Sequence, residues 1–316
     1  MSGAPGSGGG GLGGARLADV GELGLLAELE RRGLAVDVEH DAALLAGGLV
    51  VTQDALVEGV HFRLDWISWR DLGYKAAAVN ISDLSASAAE PEALIVSLGL
   101  SPATLVADVV ALYEGIAEAG VPVRGGDTTS AERTYLSVTA LGRSAHVPGR
   151  AGARPGDRIV VTGPLGGSGA GLLCLQAGRL DDPATAALVL AHNRPPLRIA
   201  EGRTLGAVAT AMLDISDGLA TDAGHIARRS RCRLVIELAR VPVATGVAEV
   251  ATERGRDALE LACAAGEDYE LLATLPPGVP LPAGAVEIGR CEQGEGAVFL
   301  DKAGSPVTLD GWEHFR

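Results

Sequence analysis

Aromatic side chains are scarce, at 3% of the 316 residues, and the 26 Lys and Arg are outnumbered by 40 Asp and Glu, giving a formal charge of −14. With so few aromatics, core packing falls to Ala, Val and Leu. The shortage of positive charge excludes a general nucleic-acid or anionic-membrane surface, which must neutralise phosphates with Lys and Arg. An acidic protein still binds phosphates when divalent cations stand between the two negative partners. Cysteine is sparse too. Cys174, Cys232, Cys263 and Cys291 lie far apart with no CxxC pair, so neither a thiolate metal site nor a disulfide framework is expected. No apolar run reaches the roughly 18 residues that a membrane-spanning helix needs, and no basic-then-apolar leader opens the chain. A cytoplasmic location is expected, with no nucleic-acid or membrane partner.

What is present is a globular composition, 47% hydrophobic and 21% charged, long enough for two cores. The opening MSGAPGSGGGGLGGA (1–15) has little to bury and reads as a flexible tail. The spacing of Leu25, Leu26 and Leu29 predicts a helix over 17–32. Strands are expected at 44–54, 92–100 and 134–143, with a helix over 102–120 closed by Gly120. RAGARPGD (150–157) is a polar, turn-rich break, placing the expected domains at 16–149 and 150–316. The second half adds strands at 158–163 and 233–238 and helices near 168–177, 198–210 and 244–253. Strands interspersed with helices in both halves predict an α/β (α+β) architecture of two domains with a cleft between them.

Aspartates recur where apolar segments end. LVVTQD closes on Asp54, AAAVNISD on Asp83 and VPVRGGD on Asp127, while AMLDISDG holds Asp214 and Asp217. Any one of them reads equally as a turn former or helix cap. Ionised carboxylates are costly to bury unless paired, so a convergent set implies bound cations. Oxygen ligands without nearby Cys favour Mg²⁺. A helix over 76–89 would align Asn80, Asp83 and Ser87 as one polar stripe on a small-residue surface.

Other segments keep two readings. RGGDTTS (124–130) sets two glycines beside Asp127, as a backbone that approaches a phosphate would need, though a lone GGD is weak. GPLGGSGAG (163–171) is either a phosphate loop or a flexible turn capping a helix, and it lacks the Gly-Lys-Ser/Thr of a Walker A loop. Arg150 is a phosphate clamp or a solvated cation, and His61 a packed residue or a site residue. AGEDYELL (265–272) is a solvated acidic turn or a holder for a cationic ligand.

In order along the chain, LVEGVHFR (56–63), LGYKAAAVNISDLSASAAEP (72–91), RGGDTT (124–129), RAGARPGD (150–157), DISDGLATD (214–222), AGEDYELL and GWEHF (311–315) resemble the thiamine-monophosphate kinase family. Its superfamily includes aminoimidazole ribonucleotide synthetase. The similarity runs from Gly21-Glu22 to the C-terminus. It implies transfer of the terminal phosphate of ATP to thiamine monophosphate over a Mg²⁺ cluster. It also implies metal ligands at Asp41, Thr52, Asp54, Asp83, Asp127, Asp214 and Asp217, with Asp83, Asp127 and Asp217 at the catalytic centre. ATP contacts are implied at Gly126, Asp127, Arg150 and Ser216, and contacts to the thiamine side at His61, Glu267 and Trp312. An aromatic plane and a carboxylate suit a cationic thiazolium. The family fold further implies a homodimer whose N-terminal mixed sheets pair into a barrel, with an α/β domain following.

This chain departs from the family pattern at several places. EHDAA (39–43) stands for GDDAA, so Glu39 and His40 replace a glycine and an aspartate. Gln53 replaces a Thr, Ser87-Ala88 a Met-Gly, and Ala265 a Gly. These departures leave open a nucleotide- or thiamine-phosphate-binding protein without turnover. Another ATP-dependent activity of the superfamily is the remaining alternative.

Overall fold

The computed structural model describes residues 16–36, 40–180 and 182–309. The Gly-rich opening, Glu39 and the GWEHF motif with Trp312 lie outside them. Helix α1 (Leu17–Arg31) belongs to one compact unit, and the chain from Asp41 to Trp312 forms another.

The larger unit begins with β1 (Ala43–Leu45), β2 (Leu49–Val57), α2 (Trp69–Ala86), β3 (Glu90–Leu100), α3 (Val106–Glu118), β4 (Val123–Ser130) and β5 (Tyr135–Arg143). It continues with β6 (Arg158–Val161), α4 (Gly167–Gln176), α5 (Ala186–Asn193), α6 (Ile199–Gly206), β7 (Ala211–Asp214), α7 (Leu219–Ser230) and β8 (Arg233–Glu237). Helices α8 (Val247–Glu253) and α9 (Ala258–Ala264) precede β9 (Leu271–Leu275), β10 (Val286–Glu292), β11 (Ala297–Leu300) and β12 (Pro306–Val307). Two mixed sheets result, ordered β1-β2-β5-β3-β4 and β12-β11-β8-β10-β6-β9-β7.

In the first sheet, period-2 alternation turns Val50, Leu56, Leu94, Val96, Leu98, Leu136 and Val138 to one buried face. That face packs against α2. Each such side chain contributes on the order of 2 kcal/mol by leaving water, and Leu136→Ala should cost roughly 2–5 kcal/mol. Thr52 and Asp54 belong to the same row of β2, so the packing that fixes the strand also aims these two polar groups at α2.

Helix α2 positions the site. Ser68 caps it by accepting the Asp71 N–H at 3.1 Å. Its small residues allow close neighbours: a Cβ on Gly73 would lie 1.9 Å from the Leu112 carbonyl oxygen, so α3 crosses at backbone distance. Its C-terminal half is buried against β2, α6 and β7, the last being the edge strand of the second sheet.

Several elements differ from the sequence reading. Residues 44–54 form a tight antiparallel hairpin, Leu45 opposite Leu49, because the chain turns at Ala46–Gly48. RGGDTTS, given no element in the sequence reading, is most of β4, the parallel edge strand beside β3. Helices α5 and α9 were not anticipated; both are short, α5 at eight residues and α9 at seven, although Asp257 caps α9 by accepting the Leu259 and Glu260 N–H groups. The strands of the first sheet all fall within 43–143 and those of the second within 158–307.

Candidate active site

Three elements converge on one acidic point. Asp83 comes from the last turns of α2, Asp214 from the end of β7 and Asp41 from the segment before β1. Their carboxylate oxygens lie within 4.8 Å of one another. The Thr52 hydroxyl on β2 hydrogen-bonds Asp83 and also the Asp41 carbonyl at 2.9 Å. Ser82 donates to Asp214 at 2.6 Å. Asn80 turns its side-chain oxygen to the Asp54 N–H at 2.9 Å and donates to the Ala76 carbonyl, which fixes β2 against α2.

Crowding like charges in a half-dry site disfavours ionisation. Burial first, then the charges of Asp54, Asp214 and Asp41, push Asp83 well above the usual carboxylate range, although it keeps some solvent contact. Asp214, 4% exposed, is raised to about 8 by burial and by Asp41. A cation among these oxygens would relieve both.

Arg150 is the protein's own cation here. Its guanidinium reaches Asp41 Oδ1 through Nε at 3.1 Å and Nη2 at 2.5 Å. Burial opposes its charge, but Asp41, Asp222 and Asp214 hold its pKa above the ordinary value. A second group lies on the next turn of chain, where Asp217, Asp222 and His225 bring one ligand atom each within 4.8 Å. Asp222 accepts the Asp217 N–H at 3.1 Å. Burial lowers the His225 imidazole to about 3, with Arg150 and Arg228 adding to the effect, so it is a neutral ring able to coordinate. Asp222 and His225 were missed in the sequence, although their i, i+3 spacing beside Asp217 puts them on one face of α7.

The GEDYE loop binds back onto the DISD loop. Glu267 N–H donates to the Ser216 carbonyl at 2.7 Å, Tyr269 N–H to that of Ile215 at 2.9 Å, and Ile215 N–H to that of Glu270 at 2.8 Å. Glu267 and Tyr269 take φ of 56° and 52°, a left-handed conformation that non-glycine residues adopt only under constraint. The Glu267 carboxylate meets Lys75 Nζ and His192 Nδ1, each at 3.3 Å. Burial pushes Glu267 up, yet Lys75, His192 and His61 bring it below its ordinary value. His61 accepts the Val57 N–H on Nδ1 at 3.1 Å, which leaves its proton on Nε2.

The remaining residues stand apart. Asp127 and Gly126 sit on exposed β4, separated from β2 by β3 and β5, and Asp127 is not within the three-carboxylate group. Gly126 is explained by packing, because a Cβ there would lie 1.7 Å from the Val96 carbonyl oxygen. The start of α4, read as a possible phosphate loop, is occupied by Asp268, which accepts the Gly166 and Ser168 N–H groups at 2.8 and 3.3 Å. Two open grooves of 420 and 370 Å³ run along α3 around Tyr113, and none of the cluster's carboxylates lines them.

Of the departures from the family pattern, Gln53 faces away from α2 and pairs with Thr139 at 2.9 Å. Ala265 is relaxed, at φ −78°. Ala88 is not: it holds φ 51° where the family has glycine.

The family model for the AIR synthase related protein, N-terminal domain, matches residues 39–144, and that for its C-terminal domain matches 154–301. Thiamine-monophosphate kinase of Aquifex aeolicus (strain VF5) is 36% identical over 309 residues, covering 95% of this chain and 100% of that protein. The kinase of Escherichia coli (strain K12) is 40% identical over 294 residues, covering 84% and 86%. The solved structure of AaThiL complexed with AMPPCP and TMP matches with a TM-score of 0.89 at 35% identity, over 95% of this chain and 98% of that one.

Proposed function

Because the chain belongs to the thiamine-monophosphate kinases of the AIR synthase related family, we propose that it phosphorylates thiamine monophosphate with ATP, yielding thiamine diphosphate and ADP. The observation that carries this reading is the convergence of Asp41, Thr52, Asp83 and Asp214 from four separate segments. The side chain of Asp41, 6% exposed, keeps its place in the cluster.

Hard oxygen donors with no thiol in the cluster fit Mg²⁺. Asp41, Thr52, Asp54, Asp83 and Asp214 would hold it, and Asp217, with Asp222 and His225, a further ion. When bound, it would neutralise the charge of two phosphorylated ligands, which an acidic protein needs before it can receive them. The protein's own groups orient the reaction. Arg150, paired with Asp41 here, would turn to an ATP phosphate beside the Ser216 loop, and the family resemblance assigns Gly126 and Asp127 of the β4 edge to the ATP side as well. Glu267, His61 and Trp312 take the thiamine side. An oxygen of the acceptor phosphate attacks the terminal phosphorus in line. The bond to the bridging oxygen breaks and its electron pair leaves with ADP. That attacking oxygen is already ionised, so no general base is required. Because Glu267 N–H is bonded to the Ser216 carbonyl, the acceptor and phosphate ends share one rigid backbone unit.

A homodimer belongs to the same reading. It is supported by the face of the first sheet opposite α2, where Val51, Ala55, Ile95, Ser137 and Leu141 keep partial or full exposure. Pairing there would close a barrel and cover these side chains. Residues 145–157 would join the two domains. Among the described residues, no helix is long and apolar enough to cross a membrane.

The test is product formation. ATP, Mg²⁺ and thiamine monophosphate should give ADP and thiamine diphosphate in equal amounts. Binding of both substrates with no product at any Mg²⁺ or Mn²⁺ concentration would show a protein that has lost turnover.

A further inference from the structure

Lys75 and Lys302 are the only lysines among the 26 basic residues of the chain. Arginine serves everywhere else, yet among the described residues the most enclosed cation is Lys75, in the middle of α2 with its side chain 1% exposed. A fully buried ammonium is costly without a partner, and its recorded partner is the Oε2 atom of Glu267 at 3.3 Å. His192, on α5 and itself 6% exposed at the side chain, turns Nδ1 to the same Oε2 at 3.3 Å and to Ser168 Oγ at 3.0 Å. Two buried groups from different helices therefore grip one oxygen of one carboxylate.

The other end of Glu267 is fixed as firmly. Its backbone is left-handed and bonded to Ser216. Its side chain keeps 26% exposure, so the carboxylate lies between a buried anchor and solvent. Among the described residues, no hydrogen bond is recorded to Oε1. A carboxylate anchored through one oxygen presents the other in a fixed direction, which is how a positioned acceptor or counter-charge is built.

We propose that Lys75 and His192 are positioning residues that orient the Glu267 carboxylate toward the amino-bearing heterocycle of the acceptor, Lys75 supplying the counter-charge, resting on the acceptor reading above. The arrangement also sets specificity. Since Lys75 balances most of the Glu267 charge, a cation alone gains little, whereas a ligand with an N–H donor aimed at Oε1 gains a directed, charge-assisted hydrogen bond. The acceptor class is thus a flat amino-heterocycle joined to a phosphate.

The experiment is a double-mutant cycle on the full chain, read by KM for thiamine monophosphate, KM for ATP and kcat. Lys75→Met should raise KM for thiamine monophosphate about tenfold or more, as loss of a charged hydrogen-bond partner does, with kcat the less affected. KM for ATP should stay within about twofold. In a Glu267→Gln background the same substitution should add less than about twofold, because Lys75 acts through the carboxylate. A purely structural role would make the two effects additive, and that result would overturn the proposal. Should Lys75→Met not fold, as removal of one partner from a buried pair allows, the double variant removes both charges at conserved volume. Its KM for thiamine monophosphate should then match that of Glu267→Gln, and a further tenfold rise would overturn the proposal. Failure of the acceptor reading has its own signature: wild-type chain that does not bind thiamine monophosphate in calorimetry overturns both.

Discussion

Two buried acidic regions of this protein reach opposite electrostatic solutions. At Asp41, Asp83 and Asp214 the carboxylates face one another and ionisation is pushed up, to about 8 for Asp214. At Glu267 a partly exposed carboxylate is held below its ordinary value, chiefly by the buried Lys75 ammonium. The difference lies in who supplies the counter-charge. On the proposed reading, the first region would take most of it from a bound cation and supplies only Arg150, and the second carries its own in Lys75. A site that must exchange metal and nucleotide on each turnover gains from the first arrangement; one that recognises an organic group gains from the second.

The sharpest way to break the comparison is Asp83→Asn. Turnover should fall at least about a hundredfold, in the range seen when one electrostatic contact of a catalytic centre is removed. Circular dichroism should stay native, since a raised pKa means the fold gains nothing from that charge. Next is Glu267→Gln, which should raise KM for thiamine monophosphate about tenfold or more while the Mg²⁺ requirement is unmoved; a shift in the Mg²⁺ requirement would mean the two regions are one. Asp268 is an intermediate case, raised to about 7 by burial although two N–H groups favour its charge. Between pH 4 and 7 the folded state keeps a proton that the unfolded state has released. Stability from this group therefore falls as pH rises through that window, by up to about 1.4 kcal/mol per pH unit. Denaturant melts of Asp268→Asn should lack that component. The smallest effect concerns Ala88, just beyond α2, where Ala88→Gly should stabilise the protein by about 1 kcal/mol by removing left-handed strain, without changing kcat.

Much of the carboxylate region was legible in the sequence, because its residues sit at the ends of apolar segments. An apolar run closing on Asp54, which the structure places inside β2, a small-residue helix carrying Asp83 and a short strand ending in Asp214 each announce a polar group beside the packed core. The Glu267 region was half legible. The acidic turn was visible, but Lys75 reads as an ordinary helix residue and His192 as one histidine in an apolar stretch; only the meeting of α2, α5 and the 266–270 loop gives them a role. Glycine left two segments ambiguous. In RGGD the second glycine answers the carbonyl of Val96 across the sheet, and in GPLGGSGAG the helix start is filled by Asp268. In both, close approach within the fold was indistinguishable from close approach to a phosphate.

The measurement that bears most directly on the division of counter-charge is thermal unfolding of three proteins, wild type, Asp83→Asn and Glu267→Gln, across a Mg²⁺ titration without nucleotide. Wild type and Glu267→Gln should rise in Tm together as Mg²⁺ fills the cluster, and Asp83→Asn should respond weakly. Equal responses in all three, or a response lost in Glu267→Gln and kept in Asp83→Asn, would contradict the account.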